Sequence, residues 1–153
     1  MSALRVVEGD ARDVAAIMPI MDSAFDPAFG EAWTAAQCIS LLAAPGTALH
    51  IALVGEEVAG FALCRWVLEE QELLMIGVAP RFQRIGVASN LLAHIIEHAR
   101  SLNQTRIFLE VRSNNSALNF YSKLGFEYCG TRKYYYRGAN GDRYDATTMT
   151  LNL

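Results

Sequence analysis

The chain has 153 residues, 52% apolar and 19% charged, with thirteen basic against sixteen acidic side chains and a net charge of −3. This length predicts a single domain over residues 1–153 that buries a full core without disulfide or metal staples, and the composition excludes a disordered tail protein. Lys123 and Lys133 are the only lysines and no basic run occurs, which argues against nucleic acid or an anionic membrane as partner.

Cys38, Cys64 and Cys129 are odd in number and widely spaced. They form no C-x-x-C pair, so they read as small buried apolar residues in a reducing cytosol, not as a disulfide or zinc framework. Met1-Ser2-Ala3-Leu4-Arg5 lacks the apolar core of a signal peptide, which favours a cytoplasmic location. The longest uncharged run, 32–55, is broken by Pro45-Gly46 and by polar residues, so it reads as helix, turn and strand instead of a membrane span.

In chain order, Leu4 to Glu8 predicts a short strand. Asp10 is placed to cap a helix whose core stripe is Val14, Ile17, Met18 and Met21 and which ends near Ala24. Asp26-Pro27 and Gly30 mark a loop. Thr34-Ala35-Ala36-Gln37 fits a capping box opening a second helix with Ile39, Leu41 and Leu42, ended by Pro45-Gly46. Three strands follow, Ala48 to Val54, Val58 to Leu68 and Glu72 to Val78, separated by Gly55-Glu56-Glu57 and Glu69-Glu70. Pro80 stops the third.

A strongly amphipathic helix then runs from about Gly86 to Ser101, with Val87, Leu91, Leu92, Ile95, Ile96 and Ala99 on one side. Arg106 to Val111 is a strand. Ser116 to Leu124 is a short helix with Gly125 in the left-handed C-cap position. Phe126 to Tyr136 and Arg143 to Leu151 form an antiparallel pair around Asn140-Gly141. The order β-α-α-β-β-β-α-β-α-β-β defines a mixed α/β (α+β) domain, neither bundle nor sandwich.

The segment Val78-Ala79-Pro80-Arg81-Phe82-Gln83-Arg84-Ile85-Gly86-Val87-Ala88 has the physics of an anion cradle. Gly86 lets the backbone approach a ligand closely. The first helical turn presents unpaired N–H groups with the positive end of the helix dipole. Arg81 and Arg84 add charge beside phosphates. No Walker A or dinucleotide glycine pattern is present.

The spacing Gln83-x-x-Gly86-x-Ala88 is similar to the Q/R-x-x-G-x-G/A acyl-CoA motif of the GCN5-related N-acetyltransferases, the GNAT superfamily. The resemblance implies a mixed, mostly antiparallel sheet of about seven strands, flanked by about four helices and splayed at the cofactor site. It implies acetyl-CoA as cosubstrate, held by Ile76, Gly77 and Val78 along the preceding strand and by Gln83, Arg84, Ile85, Gly86, Val87 and Ala88 in the loop. Leu109-Glu110-Val111-Arg112, Phe120-Tyr121, Leu124-Gly125-Phe126, Arg132-Lys133-Tyr134-Tyr135-Tyr136 and Asp145-Ala146-Thr147-Thr148-Met149 resemble the RimI-type branch, which acetylates ribosomal-protein N-termini. The likeness covers about residues 58–151; residues 1–50 share only the strand-helix-helix plan.

Glu110 falls on a largely apolar strand, on the same face as Phe108, where a carboxylate is costly unless paired. Arg112 or Arg106 is placed to pair it; alternatively it removes a proton from an attacking ammonium, the role the resemblance implies. Tyr121 is either a core aromatic or the acid that protonates the leaving thiolate, again by resemblance. Asn114 matches the family's cofactor-arm asparagine counted from Tyr121, whereas Asn115 matches counted from Glu110. The asparagine common in the family at Met75 and the acidic residue at Ala79 are absent, departures that bear on acceptor selectivity.

His94-Ile95-Ile96-Glu97-His98 matches the H-x-x-E-H metalloprotease pattern. The cofactor loop already accounts for this helix, and the two histidines flank its apolar stripe like solvated edge residues, so no metal is expected. Glu69, Glu70 and Glu72 read as a solvated hairpin tip or as an acidic rim for a cationic peptide. Tyr134 to Tyr136 and Gly30-Glu31-Ala32-Trp33 line an acceptor groove or pack on the sheet. The expected activity is acetyl transfer to a primary amine, either a protein N-terminus or a small amine, by a monomer or weak homodimer. A CoA-binding sensor without turnover is the more distant alternative.

Overall fold

A computed structural model describes residues 3–26, 29 and 31–153. Seven strands form one sheet in the order β1-β2-β3-β4-β5-β7-β6. They are β1 (Leu4–Gly9), β2 (Thr47–Val54), β3 (Glu57–Val67), β4 (Glu70–Val78), β5 (Arg106–Arg112), β6 (Glu127–Arg137) and β7 (Arg143–Asn152). Every neighbouring pair is antiparallel except β4 and β5, which run parallel. The connection that makes them parallel is α3 (Val87–Ser101), as a same-sheet crossover requires. The expected mixed sheet with four helices is what the chain forms.

The first two helices, α1 (Val14–Ala24) and α2 (Ala35–Leu42), pack on one face of the sheet. Asp10 caps a single 3-10 turn, 11–13, ahead of α1, in a reciprocal box with Asp13. Thr34 and Gln37 form the expected capping box: Gln37 N–H donates to Thr34 Oγ1 at 3.1 Å, and Thr34 N–H donates to Gln37 Oε1 at 2.7 Å. Cys38 and Cys64 are buried as expected, but Cys129 is exposed on the edge strand β6, and Ile39 of α2 is 47% exposed. With only two turns, this helix offers too few apolar positions for its phase to be read from spacing.

The other face carries α3 and the short α4 (Ala117–Lys123). Val87, Leu91, Leu92, Ile95 and Ala99 bury the predicted α3 stripe against Ala52, Ala59, Ala62 and Cys64. Gly60 allows this approach, since a Cβ there would lie 2.8 Å from both the Gly77 carbonyl oxygen and Val87 Cγ1. Gly125, at φ +99, ends α4 as expected.

One irregularity shapes the site. Leu63 pairs with Met75 but Cys64 pairs with Leu73, so Leu74 is an extra residue in β4. Such a bulge bends its strand and increases its twist. On the other side, β4 pairs with β5 only from Glu70 opposite Arg106 to Leu73 opposite Leu109. From Leu74 to Val78 the β5-facing edge of β4 has no strand partner, and the sheet opens into a V.

Candidate active site

The V holds a cleft of about 200 Å³. Its walls are Leu73 to Ile76 of β4, Leu109 to Val111 of β5, Asn115 and Tyr121 at α4, Tyr135 and Tyr136 of β6, and Phe25, Glu31 and Trp33 from the α1–α2 connection. Glu110 and Tyr121 thus meet in one cavity although they lie on different elements. β5 alternates buried and half-buried residues. Glu110 therefore points toward the cleft face while Leu109 and Val111 enter the α3-side core.

The Glu110 carboxylate is 8% exposed, and it forms an ion pair with Arg132, Nε to Oε1 2.8 Å. The expected partners are wrong. Arg106 pairs with Glu70, and Arg112 Nε donates to Glu31 Oε1 at 2.7 Å. β7 lies between β5 and β6, so the pairing depends on β6 side chains reaching over β7. Sequence spacing carries no signal for that. The Tyr136 hydroxyl also donates to the Glu110 backbone carbonyl at 3.1 Å, another contact missed for the same reason. Burial, with the nearby Glu110 carboxylate, raises the Tyr135 pKa; burial chiefly, then Glu31, raises that of Tyr136.

Tyr121 is 4% exposed, edge-on to both Phe120 and Phe126. Burial pushes its phenol pKa well above the ordinary value, so the group stays protonated at neutral pH. Its packing and its place on the cleft wall are both satisfied at once.

At the cradle, Gly86 adopts φ +90, a left-handed conformation suited to glycine. The first helical hydrogen bond is Asn90 N–H to the Gly86 carbonyl, 3.0 Å. The amides of Val87, Ala88 and Ser89 precede it and have no partner within the helix. Gln83, Arg84, Ile85 and Gly86 are exposed, whereas the Val87 side chain is buried, leaving only its backbone for a ligand. Arg84 also has a positive φ, +65. Arg81 is turned aside, paired with Glu57 and stacked over Phe82 at 4.7 Å. A free row of amides at a helix start and an unpaired strand edge, Leu74 to Val78 including Ile76 and Gly77, fit a diphosphate joined to an extended amide-bearing arm.

Asn115 lines the cleft and its Oδ1 accepts from Ala117 N–H at 2.8 Å. Asn114 is instead tied to Arg112, whose Nη1 donates to its Oδ1 at 2.6 Å. Arg112 also stacks on Phe29, 3.5 Å from the ring centroid. Its side chain and that of Glu31 are 11% and 14% exposed. Arg112 therefore fastens the α1–α2 connection to the end of β5. Of the segment 30–33 expected at the groove, Glu31 and Trp33 line the cleft, and Gly30 lies outside the described residues, as does Pro27. Tyr134 points to solvent and does not line the cleft, whereas Tyr135, itself half exposed, and Tyr136 do. Glu72 is shared with a second groove that includes Leu68, Glu69, Glu70 and Phe108, and Arg65 holds it at 2.9 Å.

The histidines are not solvated edge residues. His94 Nδ1 lies 2.9 Å from Nδ1 of the fully buried His50, and His98 packs edge-on to His50 and Trp66. Among the described residues no three or more His, Cys, Asp or Glu groups converge as a metal site. No helix among them is long and apolar enough to cross a membrane.

The model of the acetyltransferase (GNAT) family matches residues 14–126. The [ribosomal protein bS18]-alanine N-acetyltransferase of Haemophilus influenzae is 35% identical over 106 residues, 69% of this chain and 73% of that protein. The protein of the same description from Salmonella typhimurium is 37% identical over 107 residues, covering 69% and 72%. The crystal structure of the ribosomal-protein-S18-alanine N-acetyltransferase from Escherichia coli superimposes with a TM-score of 0.87 at 29% identity, covering 98% of this chain and 94% of that one. The chain belongs to the GNAT acetyltransferase family and is an N-acetyltransferase, with its resemblance to the RimI-type branch upheld.

Proposed function

We propose that the protein transfers the acetyl group of acetyl-CoA to the N-terminal α-amine of a protein, in the first instance a ribosomal protein. The observation that carries this reading is the meeting of Glu110 and Tyr121 across a cleft that is continuous with the unpaired edge of β4. The acceptor class comes from the bS18-alanine acetyltransferases that the chain resembles. Acetyl-CoA supplies the thioester carbonyl.

Backbone amides from Gln83 to Ala88 hold the diphosphate, and the backbone of Ile76, Gly77 and Val78 aligns the arm. N–H groups near Gly77 and Val78 stabilise charge developing on the carbonyl oxygen. An α-amino group has a pKa of about 7.7–8.0 and arrives largely as an ammonium at pH 7. Glu110, directly or through one water, accepts its proton. Tyr121 donates a proton to the departing sulfur. Both substrates occupy the cleft together; Cys38 and Cys64 are buried and Cys129 is exposed on β6, so no thiol lines the cleft to carry an acyl group.

A second reading, acetylation of a small amine, is favoured by the absent family asparagine at Met75. Incubation with labelled acetyl-CoA and either an Ala-starting ribosomal-protein peptide or a panel of polyamines, aminoglycosides and amino acids decides between them. Label on the peptide α-amine supports the proposal; label confined to metabolites overturns it.

A further inference from the structure

We propose that Arg132 is a cationic placeholder on Glu110, displaced by the acceptor's ammonium when substrate enters. This rests on the reading of Glu110 as the residue that receives the amine.

Three carboxylates line the cleft, Glu31, Glu72 and Glu110, and each carries one arginine. The pairs differ in how firmly the cation is held. Arg112 on Glu31 is buried, stacked on Phe29 and bonded to Asn114, so it is a fixed strut. Arg132 is the opposite case. Its side chain is 61% exposed, against 8% for Glu110. Its Nε lies 2.8 Å from Glu110 Oε1 without the aligned hydrogen bond that Arg112 makes to Glu31. It stands on the edge strand β6, where the pairing with β7 is interrupted between Arg132 and Tyr136. Its other neighbour, the Tyr135 ring, lies 5.3 Å from its Cζ.

A carboxylate so little exposed is costly without a counter-cation. A solvent-reaching guanidinium supplies one in the empty enzyme and can swing out. Exchange of one cation for another leaves the charge balance of the cleft unchanged, whereas entry of a neutral group in place of Arg132 would strand Glu110. Arg132 thus selects for acceptors that arrive protonated, and it acts through Glu110 as a positioning residue.

The test compares wild type with Arg132→Gln and Arg132→Lys on whichever amine the wild-type protein acetylates, peptide or metabolite, so that failure of the N-terminal reading and failure of this one separate. With the competing cation gone, the acceptor KM of Arg132→Gln falls threefold or more above the acid limb of the profile. The kcat at saturating acceptor stays close to wild type, the split expected when a competing cation and not a structural support is removed. Arg132→Lys, which keeps the cation, restores the KM toward wild type. An acceptor KM of Arg132→Gln that is unchanged or higher, or a kcat that falls with it, overturns the proposal.

Discussion

Leu73 and Met75 stand two positions apart on β4 yet are buried on opposite faces of the sheet, Leu73 beneath α3 and Met75 beneath α1. In a regular strand, residues i and i+2 share a face. The extra residue Leu74 reverses the phase, and beyond it β4 leaves β5. The cleft is thus a consequence of one inserted residue. Deleting Leu74 should leave Cys64 opposite Leu73 and Leu63 opposite Met75 in a regular ladder, remove the bend from β4 and close the opening. Acetyl-CoA affinity of the deletion variant, measured by calorimetry, is expected to drop by roughly 100-fold or more; retained wild-type affinity would show that the bulge does not make the site.

Gly86 enters α3 at φ +90. An L side chain in this region costs about 1–2 kcal/mol, and here the strain falls on the turn that presents the cradle amides. Gly86→Ala should therefore lower stability by that amount and weaken acetyl-CoA binding about tenfold, by the usual conversion of free energy to affinity. The nearest atom to the added Cβ is Asn90 Nδ2 at 3.5 Å, an ordinary contact. The effect comes from backbone conformation and not from a clash, so Gly86→Ser should behave alike.

If Glu110 accepts the ammonium proton, Glu110→Gln loses about 100-fold or more in kcat/KM at pH 7. The deficit should shrink near pH 9, where most of an α-amine is already free. A deficit independent of pH would remove the proton-acceptor role. Tyr121→Phe should lower kcat by a similar factor and leave the KM for acetyl-CoA nearly unchanged. Burial keeps the Tyr121 phenol protonated well above its ordinary pKa, so the substitution should abolish no basic limb below pH 10.

His50 is fully buried between β2 and α3, and burial, then the His94 and His98 rings, push its pKa down to about 3. A base whose folded pKa lies below its unfolded value binds fewer protons when folded. Its contribution is complete above the unfolded value near 6.5 and declines as pH falls from there toward 3, at up to about 1.4 kcal/mol per pH unit. Urea unfolding of wild type and His50→Leu between pH 7.5 and 4.5 reads this out. The difference between their stability curves should be flat above pH 7 and should narrow below pH 6; parallel curves throughout would exclude His50 as the source.

What the sequence determined by itself were the features built from neighbours in the chain. The stripe from Val87 to Ala99, the Thr34–Gln37 box, the left-handed Gly125 and the turn at Asn140-Gly141 all depend on local periodicity or backbone preference, and each is present. The glycine that opens α3 was legible in the same way, since Gly86 takes the left-handed conformation that its place before the helix suggests. Glu110 and Tyr121 were legible as residues, through the motifs that carry them. Their companions were not. The phase of α2 lay beyond a two-turn pattern, so Ile39 faces solvent instead of the core. The burial of His50 between His94 and His98, and the guanidinium Glu110 meets, follow from strand order and from side chains reaching across an intervening strand. Local physics writes helices, caps and turns into the chain, but which charges end up facing one another is decided only when strands distant in sequence settle into register.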